Sequence, residues 1–169
     1  MALGKFIRNS FLGLIAIFSM AVPAAAAADS NGAVVIMYHR FGEAKYPSTN
    51  VSLEQFEAHI RELKTGQYAV LPLPEIIDAL QAGKPLPNRT VGLTIDDAYL
   101  SIYTEAWPRL KEAGFPFTVF VATDPIDSHT PNFMNWAQIK ELAASGVTIG
   151  AHTGSPLHMP TADRARNLG

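Results

Sequence analysis

Short apolar runs alternate with longer amphipathic segments along this chain, and that alternation most constrains its fold. Apolar runs of this length, rich in valine and isoleucine, are typical of strands buried on both faces of a sheet. Strands that alternate with helices are joined by crossovers, which place the strands in a parallel sheet. The four predicted strands are Ala33–Tyr38, Val91–Ile95, Phe117–Ala122 and Val147–Ala151.

The first two intervening segments carry the end signals of helices. Ser52 and Gln55 form a capping-box pattern before apolar residues spaced three and four positions apart, and the helix is expected to end at Gly66. Pro74 at the start and Gly83 just past the end mark a second, shorter helix. Both helices are therefore predicted from their termini as well as from their periodicity.

Two further helices are predicted in the second half of the chain. One runs from Tyr103 to Ala113, and Pro108 inside it requires a kink or a fresh first turn. The other runs from its cap at Asn135 to Ala144. Trp107 and Trp136 fall on these helices and are interpreted as packing residues, although an exposed indole would suit a sugar face.

The first residues, Met1–Ala28, have the pattern of a secretory signal. Lys5 and Arg8 precede an apolar run, Phe11–Val22, and small residues follow it. The run is shorter than the roughly 20 residues needed to cross a bilayer, so no stable membrane span is expected after cleavage. We therefore expect an exported protein, periplasmic or extracellular, whose domain spans residues 29–169.

Charge and cysteine content narrow the class of protein further. Cleavage would remove two of the 13 basic residues and none of the 15 acidic ones, so the formal net charge would fall from −2 to −4. No basic surface for nucleic acid remains, and no nucleic-acid partner is expected. The chain has no cysteine, so the fold must depend on its hydrophobic core, and the length suffices for one domain.

Polar residues follow three of the predicted strands, at the point where each strand ends. His39 follows the first strand, Asp96 and Asp97 follow the second, and His152 follows the fourth. Because the carboxyl ends of parallel strands meet at one edge of a sheet, we expect these side chains to converge although they are far apart in the chain.

Two interpretations of the aspartate pair stay open. Adjacent aspartates at a strand end commonly form a turn or cap a helix. Alternatively, one carboxylate binds a metal while the other takes a proton from water, a division that metal-dependent hydrolysis needs. His152 and His158 favour the metal site, because divalent metals accept mixed histidine and carboxylate ligands. The two histidines converge only through a tight turn, which Gly154 and Pro156 could make.

In this order, the motifs resemble those of the polysaccharide deacetylase family, also called the NodB homology domain. The family's aspartate motif, usually T-F-D-D-G, corresponds to Thr94-Ile95-Asp96-Asp97-Ala98, and a histidine motif of the form H-[ST]-x-x-H begins at His152. The resemblance runs from about Val34 to the end of the chain. It implies that Asp96 is a general base and that Asp97 and His152 bind a divalent metal, expected to be zinc.

The chain departs from the family pattern in two places. The second ligand histidine would fall at position 156, where this chain has Pro156, so His158 is the expected third ligand. The family also carries downstream segments with an arginine, an aromatic wall and a histidine that acts as general acid, and this chain ends at Gly169 before them. The resemblance thus implies an α/β fold, a (β/α) barrel of the polysaccharide deacetylase type that is incomplete.

The activity implied by the resemblance is metal-dependent hydrolysis of N-acetyl groups on a polysaccharide or oligosaccharide. A chitooligosaccharide, peptidoglycan or a biofilm glycan is the expected substrate class. Asp96 would deprotonate the water that attacks the acetamide, giving a free amine and acetate. His39 and Thr153 are expected to line the substrate pocket.

Two alternatives remain at this point. Pro156 and the missing downstream segments favour an inactive form that acts at most as a glycan-binding module and binds no metal. A truncated product without a stable native state is the other alternative, because an open barrel exposes strand edges and part of its core. Little or no deacetylation is therefore expected of the chain as it stands.

Overall fold

The computed structural model describes residues 32–152, in which a parallel sheet is combined with helices. The strands of this part of the chain are β1 Val34–Tyr38, β2 Arg40–Phe41, β3 Asn50–Val51, β4 Ala69–Val70, β5 Thr90–Asp96, β6 Thr118–Val121 and β7 Thr148–Ala151. Its helices are α1 Leu53–Thr65, α2 Leu73–Gln81, α3 Trp107–Ala113, α4 Thr123–Asp127 and α5 Trp136–Ala144, with a π-helical segment at Ile102–Ala106.

The main sheet confirms the predicted parallel arrangement. Its strand order is β1-β5-β6-β7, β4 pairs with the start of β5, and all of these pairs are parallel. The four predicted strands are all present, and each differs from its predicted bounds by one residue at most. Since the strands run in one direction, their carboxyl ends lie along one edge of the sheet, where α/β folds place their sites.

The prediction that β1 is buried on both faces is wrong. Val34, Val35 and Met37 are 62%, 48% and 59% exposed. β1 stands at one end of the strand order and, among the described residues, pairs only with β5. Its side chains therefore have the apolar composition of a covered strand, although the described part of the chain leaves them open to solvent.

α1 and α5 begin at the predicted caps. The Ser52 hydroxyl accepts a hydrogen bond from the Gln55 backbone N–H at 3.1 Å, and the Gln55 side chain accepts one from the Ser52 N–H. Asn135 and Gln138 form the same box at the start of α5. Each box satisfies backbone donors that a helix start leaves without intrahelical partners. α1 also ends at Gly66, as predicted.

Proline acts at the start of two helices. Pro74 lies in the first turn of α2, where its missing N–H has no intrahelical partner to lose. Pro108 lies in the first turn of α3, directly after the π-helical segment. The fresh first turn predicted for Pro108 is therefore present, and the wider π-helical turn ahead of it accommodates the change.

The two tryptophans differ in their surroundings. Trp107 packs against the hydrophobic core, with its ring centroid 5.2 Å from that of Tyr103, as expected of a packing residue. Trp136 is 41% exposed, so its interpretation as a packing residue is wrong. Its indole N–H donates to the Asp127 carboxylate at 2.8 Å, which holds the ring at the surface near the end of α4.

An aromatic group anchors the carboxyl end of β1. The rings of Tyr38, Phe41 and Phe56 lie with their centroids 4.6–5.6 Å apart, and all three residues are buried in the core. Phe56 comes from α1, so this contact ties the helix to the strand. The backbone that leaves β1 toward His39 is therefore held in place from the core side.

Some predictions concern residues outside the described range. These are the secretory signal at residues 1–28, the pocket residue Thr153, and the proposed ligand turn at Pro156 and His158. Between residues 32 and 152, no helix is both long and apolar enough to cross a bilayer.

Candidate active site

The ends of β5 and β7 bring two carboxylates and one imidazole together. Asp96 is the last residue of β5, Asp97 follows it, and His152 follows β7. The Nε2 atom of His152 lies 4.0 Å from Oδ2 of Asp96 and 3.9 Å from Oδ1 of Asp97. β6 separates the two strands in the sheet, so both aspartates converge on one ring nitrogen across the width of a strand.

Backbone hydrogen bonds to β6 fix both sides of this site. The Asp97 N–H donates to the Phe120 carbonyl at 3.0 Å, and the His152 N–H donates to the Val121 carbonyl at 3.0 Å. Asp97 has a φ of 73° and Ala98 a φ of 64°, so the chain turns sharply where β5 ends. The family's usual glycine at position 98 suits such a left-handed residue, and alanine there carries strain.

Burial and neighbouring charges act on Asp96 in opposite directions. Burial raises the pKa of the Asp96 carboxyl, the charges of His39 and His152 lower it, and the charge of Asp97 raises it. His39 therefore lies close enough to act on this carboxylate, as the meeting of strand ends predicts. A carboxyl whose pKa is shifted by burial and by specific charged neighbours is typical of an active site.

The donor atoms at this edge fit part of a metal site. Zinc ligands with bonds of about 2.1 Å in tetrahedral geometry lie roughly 3.4 Å from one another. The 3.9 Å between the Asp97 and His152 donor atoms is close to that spacing. Within residues 32–152, no group of three His, Cys, Asp or Glu side chains is arranged to hold a metal ion. A third protein donor, if it is His158, lies outside the described residues.

Sequence analysis missed a polar cluster beside the strand ends. The Arg40 guanidinium lies between the rings of Tyr46 and Tyr99, at 3.9 Å and 3.5 Å from their centroids. It also pairs with Glu43 at 2.8 Å, and Glu43 accepts a hydrogen bond from the Ser101 hydroxyl at 2.6 Å. A cleft of about 470 Å³ borders this cluster. The sequence indicates this cluster only by position: Arg40 directly follows His39, and Tyr99 directly follows the aspartate motif that ends at Ala98.

The structure is an α/β domain whose parallel sheet gathers two carboxylates and a histidine at its strand ends, the place where open α/β sheets bind their ligands. The family model described as polysaccharide deacetylase matches residues 83–168, about half of the 169 residues. This chain belongs to the polysaccharide deacetylase family.

Similar proteins agree with that assignment. The poly-beta-1,6-N-acetyl-D-glucosamine N-deacetylase of Staphylococcus epidermidis is 29% identical over 136 residues, which cover 70% of this chain and 47% of that protein. The solved structure of IcaB from Ammonifex degensii is 32% identical with a TM-score of 0.67, covering 79% of this chain and 57% of that one. A de-N-acetylase from Aggregatibacter actinomycetemcomitans is 28% identical with a TM-score of 0.66, covering 75% and 56%.

The likeness to these solved structures confirms the predicted fold class. The described part is the α/β architecture that the resemblance implied, with a parallel sheet. The chain spans about half the length of the curated relative and a little over half of the two solved chains.

Proposed function

We propose that this protein hydrolyses N-acetyl groups of amino sugars in a glycan, with Asp96 as the general base. The observation that carries the proposal is the convergence of the Asp96 and Asp97 carboxylates on Nε2 of His152. Two carboxylates at one imidazole allow one to bind a metal and the other to move a proton. A turn or a helix cap would not require His152 to approach both from a separate strand.

The substrate class follows from the family and its named members. The Staphylococcus epidermidis relative is a poly-beta-1,6-N-acetyl-D-glucosamine N-deacetylase. For this chain we propose an N-acetylated glycan of the same general chemistry, with a biofilm-type polymer favoured over chitooligosaccharide or peptidoglycan. His39 and Thr153 are the proposed contacts to the sugar.

Each residue has a separate task in this mechanism. Asp97, His152 and His158 would hold a divalent metal, proposed to be zinc, which supplies a Lewis acid for the amide carbonyl when bound. Asp96 accepts the proton of a water molecule as its oxygen attacks the carbonyl carbon. A strand-end backbone N–H stabilises the developing oxyanion. The proton held by Asp96 then passes to the amide nitrogen as the carbon–nitrogen bond breaks, which gives acetate and a free amine.

Export completes the proposal, because N-acetylated glycans of this kind lie outside the cytoplasm. The basic, apolar and small-residue pattern of Met1–Ala28 supports secretion. We propose that this segment is removed and that the domain works in the periplasm or outside the cell.

The two aspartates can be separated by mutation. In a version of this domain completed by the family's downstream segments and loaded with zinc, Asp96→Asn is expected to lower turnover of N-acetylglucosamine oligomers by about 10² to 10⁴ while zinc affinity is retained, since the lost group moves a proton. Asp97→Asn is expected to lose turnover and zinc affinity together. Acetate release gives the first quantity, and isothermal titration with zinc gives the second.

Asp78→Asn is the matched control, because Asp78 is an exposed carboxylate on α2 away from the strand ends. It should leave both quantities unchanged. A drop in turnover smaller than tenfold in Asp96→Asn would remove the base assignment. Full zinc affinity in Asp97→Asn would remove the ligand assignment.

A further inference from the structure

The turn that follows β5 is held in a costly conformation. Asp97 and Ala98 both have positive φ angles, 73° and 64°, although both carry a side chain. In the left-handed region the Cβ atom crowds the following carbonyl oxygen, so such residues persist only where surrounding contacts enforce them. Ala98 is fully buried, which means those contacts come from packed protein.

A short segment ahead of α5 provides these contacts. We name Asn132–Met134 the clamp. The Leu100 N–H donates to the Asn132 carbonyl at 2.8 Å, and the Met134 N–H donates to the Ala98 carbonyl at 2.9 Å. Between these two bonds, Tyr99 and Phe133 form an antiparallel bridge. The clamp is therefore hydrogen-bonded to the residues on both sides of Tyr99.

Side chains strengthen the same contact. The rings of Phe133 and Tyr99 lie with centroids 4.6 Å apart, and the Arg40 guanidinium lies 3.5 Å from the centroid of the same Tyr99 ring. Met134 is 1% exposed and anchors the clamp in the core. After burial, the charge of Asp97 is the next cause that raises the pKa of Tyr99, so the held ring lies close to that carboxylate.

We propose that the clamp positions Asp97 for its role in the site, with Phe133 as the positioning residue that keeps the left-handed turn closed. The proposal rests on the proposed function, since it takes Asp97 as a metal ligand. Phe133 does not touch the reacting atoms. It acts through Tyr99 and the backbone of residues 98–100, and its loss lets the Asp97 carboxylate leave the position facing His152.

The first test uses Phe133→Ala in the metal-free protein. Amide hydrogen exchange of Asp97 and Leu100 is expected to accelerate at least tenfold, because both N–H groups make hydrogen bonds that the closed turn protects. Phe115→Ala is the matched control, because Phe115 is also a partly buried phenylalanine packed against the same core, just beyond the C-terminal end of α3. It should lower the melting temperature without accelerating those two amides selectively. Phe133→Leu, which keeps an apolar side chain, covers the case in which Phe133→Ala fails to fold.

The second test is rescue. Glycine adopts the left-handed region without steric strain, so with Ala98→Gly the turn depends less on the clamp to stay closed. Zinc affinity is expected to fall about tenfold in Phe133→Ala and about threefold or less when Ala98→Gly is also present. A double-mutant cycle on zinc titration measures this coupling.

The outcomes separate this proposal from the proposed function. Unchanged exchange of the Asp97 and Leu100 amides in both Phe133 variants overturns the clamp, whether or not zinc binds. Accelerated exchange with unchanged zinc affinity, in a parent protein that binds zinc, also overturns it, because the turn would then not control the ligand. A parent protein that binds no zinc removes the metal role of Asp97, and the clamp is then judged by amide exchange alone.

Discussion

Single residues decide how many donors a metal finds at this site. Asp97 and His152 are the two proposed ligands within the described residues, while a zinc site that supports catalysis ordinarily has three protein ligands. Pro156 offers no donor, and His158 is the proposed substitute. Under the proposed function, the strength of zinc binding therefore depends on positions 156 and 158 of the histidine motif.

Made in the otherwise complete domain, Pro156→His is expected to tighten zinc affinity at least tenfold, about 1.4 kcal/mol, because it restores the family's ligand spacing. His158→Ala should then have little effect in that background. Isothermal titration with zinc on the parent, the single variants and the double variant measures both changes. Unchanged affinity in Pro156→His, together with a loss in His158→Ala, would identify His158 as a full ligand and show that the proline does not weaken the site.

The candidate residues could be predicted because, in a parallel sheet, a residue's position at the end of a strand in the sequence also gives its place at one edge of the sheet. Asp96, Asp97 and His152 end or follow apolar strands, and such strand ends meet at one edge. Phe133 could not be found in this way, since it lies in a loop. No periodic pattern in the sequence indicates its ring contact with Tyr99. The strain at Ala98 also needed a structure, because alanine itself does not signal a positive φ.

Among the elements, β6 and β7 depend on a close approach between a ring and a backbone. An added Cβ at Gly150 would lie 2.6 Å from two carbons of the Phe120 ring, well inside contact distance. Phe120 is the register partner of both Gly150 and Asp96, so this ring sits between the two strand ends of the site. The pairing therefore requires glycine at position 150.

Gly150→Ala is expected to lower the free energy of unfolding by about 1–3 kcal/mol, since the Phe120 ring must move or the strands must separate. Urea denaturation followed by circular dichroism measures the change. Gly32→Ala is the control, because a Cβ there meets nothing within 4 Å. Equal stability of Gly150→Ala and the parent would show that the ring relocates without cost.

Long elements with marked ends were predictable, whereas short ones were not. The capping boxes at Ser52 and Asn135 located α1 and α5 from sequence. The two-residue strands β2, β3 and β4 are too short to show periodicity, and the five-residue α4 lacks a side-chain cap. The exposure of β1 could not be predicted from its composition. Apolar residues show that a strand is suited to burial, but only the neighbouring elements determine whether its side chains are covered.

At the scale of the whole molecule, stability is linked to pH through Tyr38. Burial raises the pKa of Tyr38 to about 12, from its usual value of 10.0. Its hydroxyl lies 3.0 Å from Nδ1 of His59, in the contact between β1 and α1. A raised folded-state pKa means that the unfolded chain releases this proton first as pH rises. The stabilisation from neutral Tyr38 is complete below pH 10 and is lost between pH 10 and 12.

Tyr38→Phe should flatten this part of the stability curve. The free energy of unfolding of the parent is expected to fall more steeply between pH 10 and 12 than that of the variant, because phenylalanine has no proton to release. Urea denaturation at several pH values gives both slopes, and measurements at pH 8 correct for the lost hydroxyl contact. Parallel slopes in the two proteins would show that Tyr38 ionises equally in the folded and unfolded chains.

Both ends of the described strand order present apolar surface. Val34, Val35 and Met37 are exposed at β1, and Ile149 is 37% exposed at β7. Open edges of parallel sheets are pairing sites, and a barrel removes them by closure. The exposed side chains are thus suited to cover by further strands of a (β/α) barrel.

Because the candidate site is spread over β1, β5 and β7, the chain can bind a ligand there only late in folding. Every pairing in the main sheet is parallel, so each must wait for a crossover to close, and such non-local contacts are slow to form. His39, Asp97 and His152 can meet only when the first and last of these strands have both docked on the centre. A partly folded chain therefore has no site to offer, and a ligand that selects the completed sheet draws the population toward it by mass action.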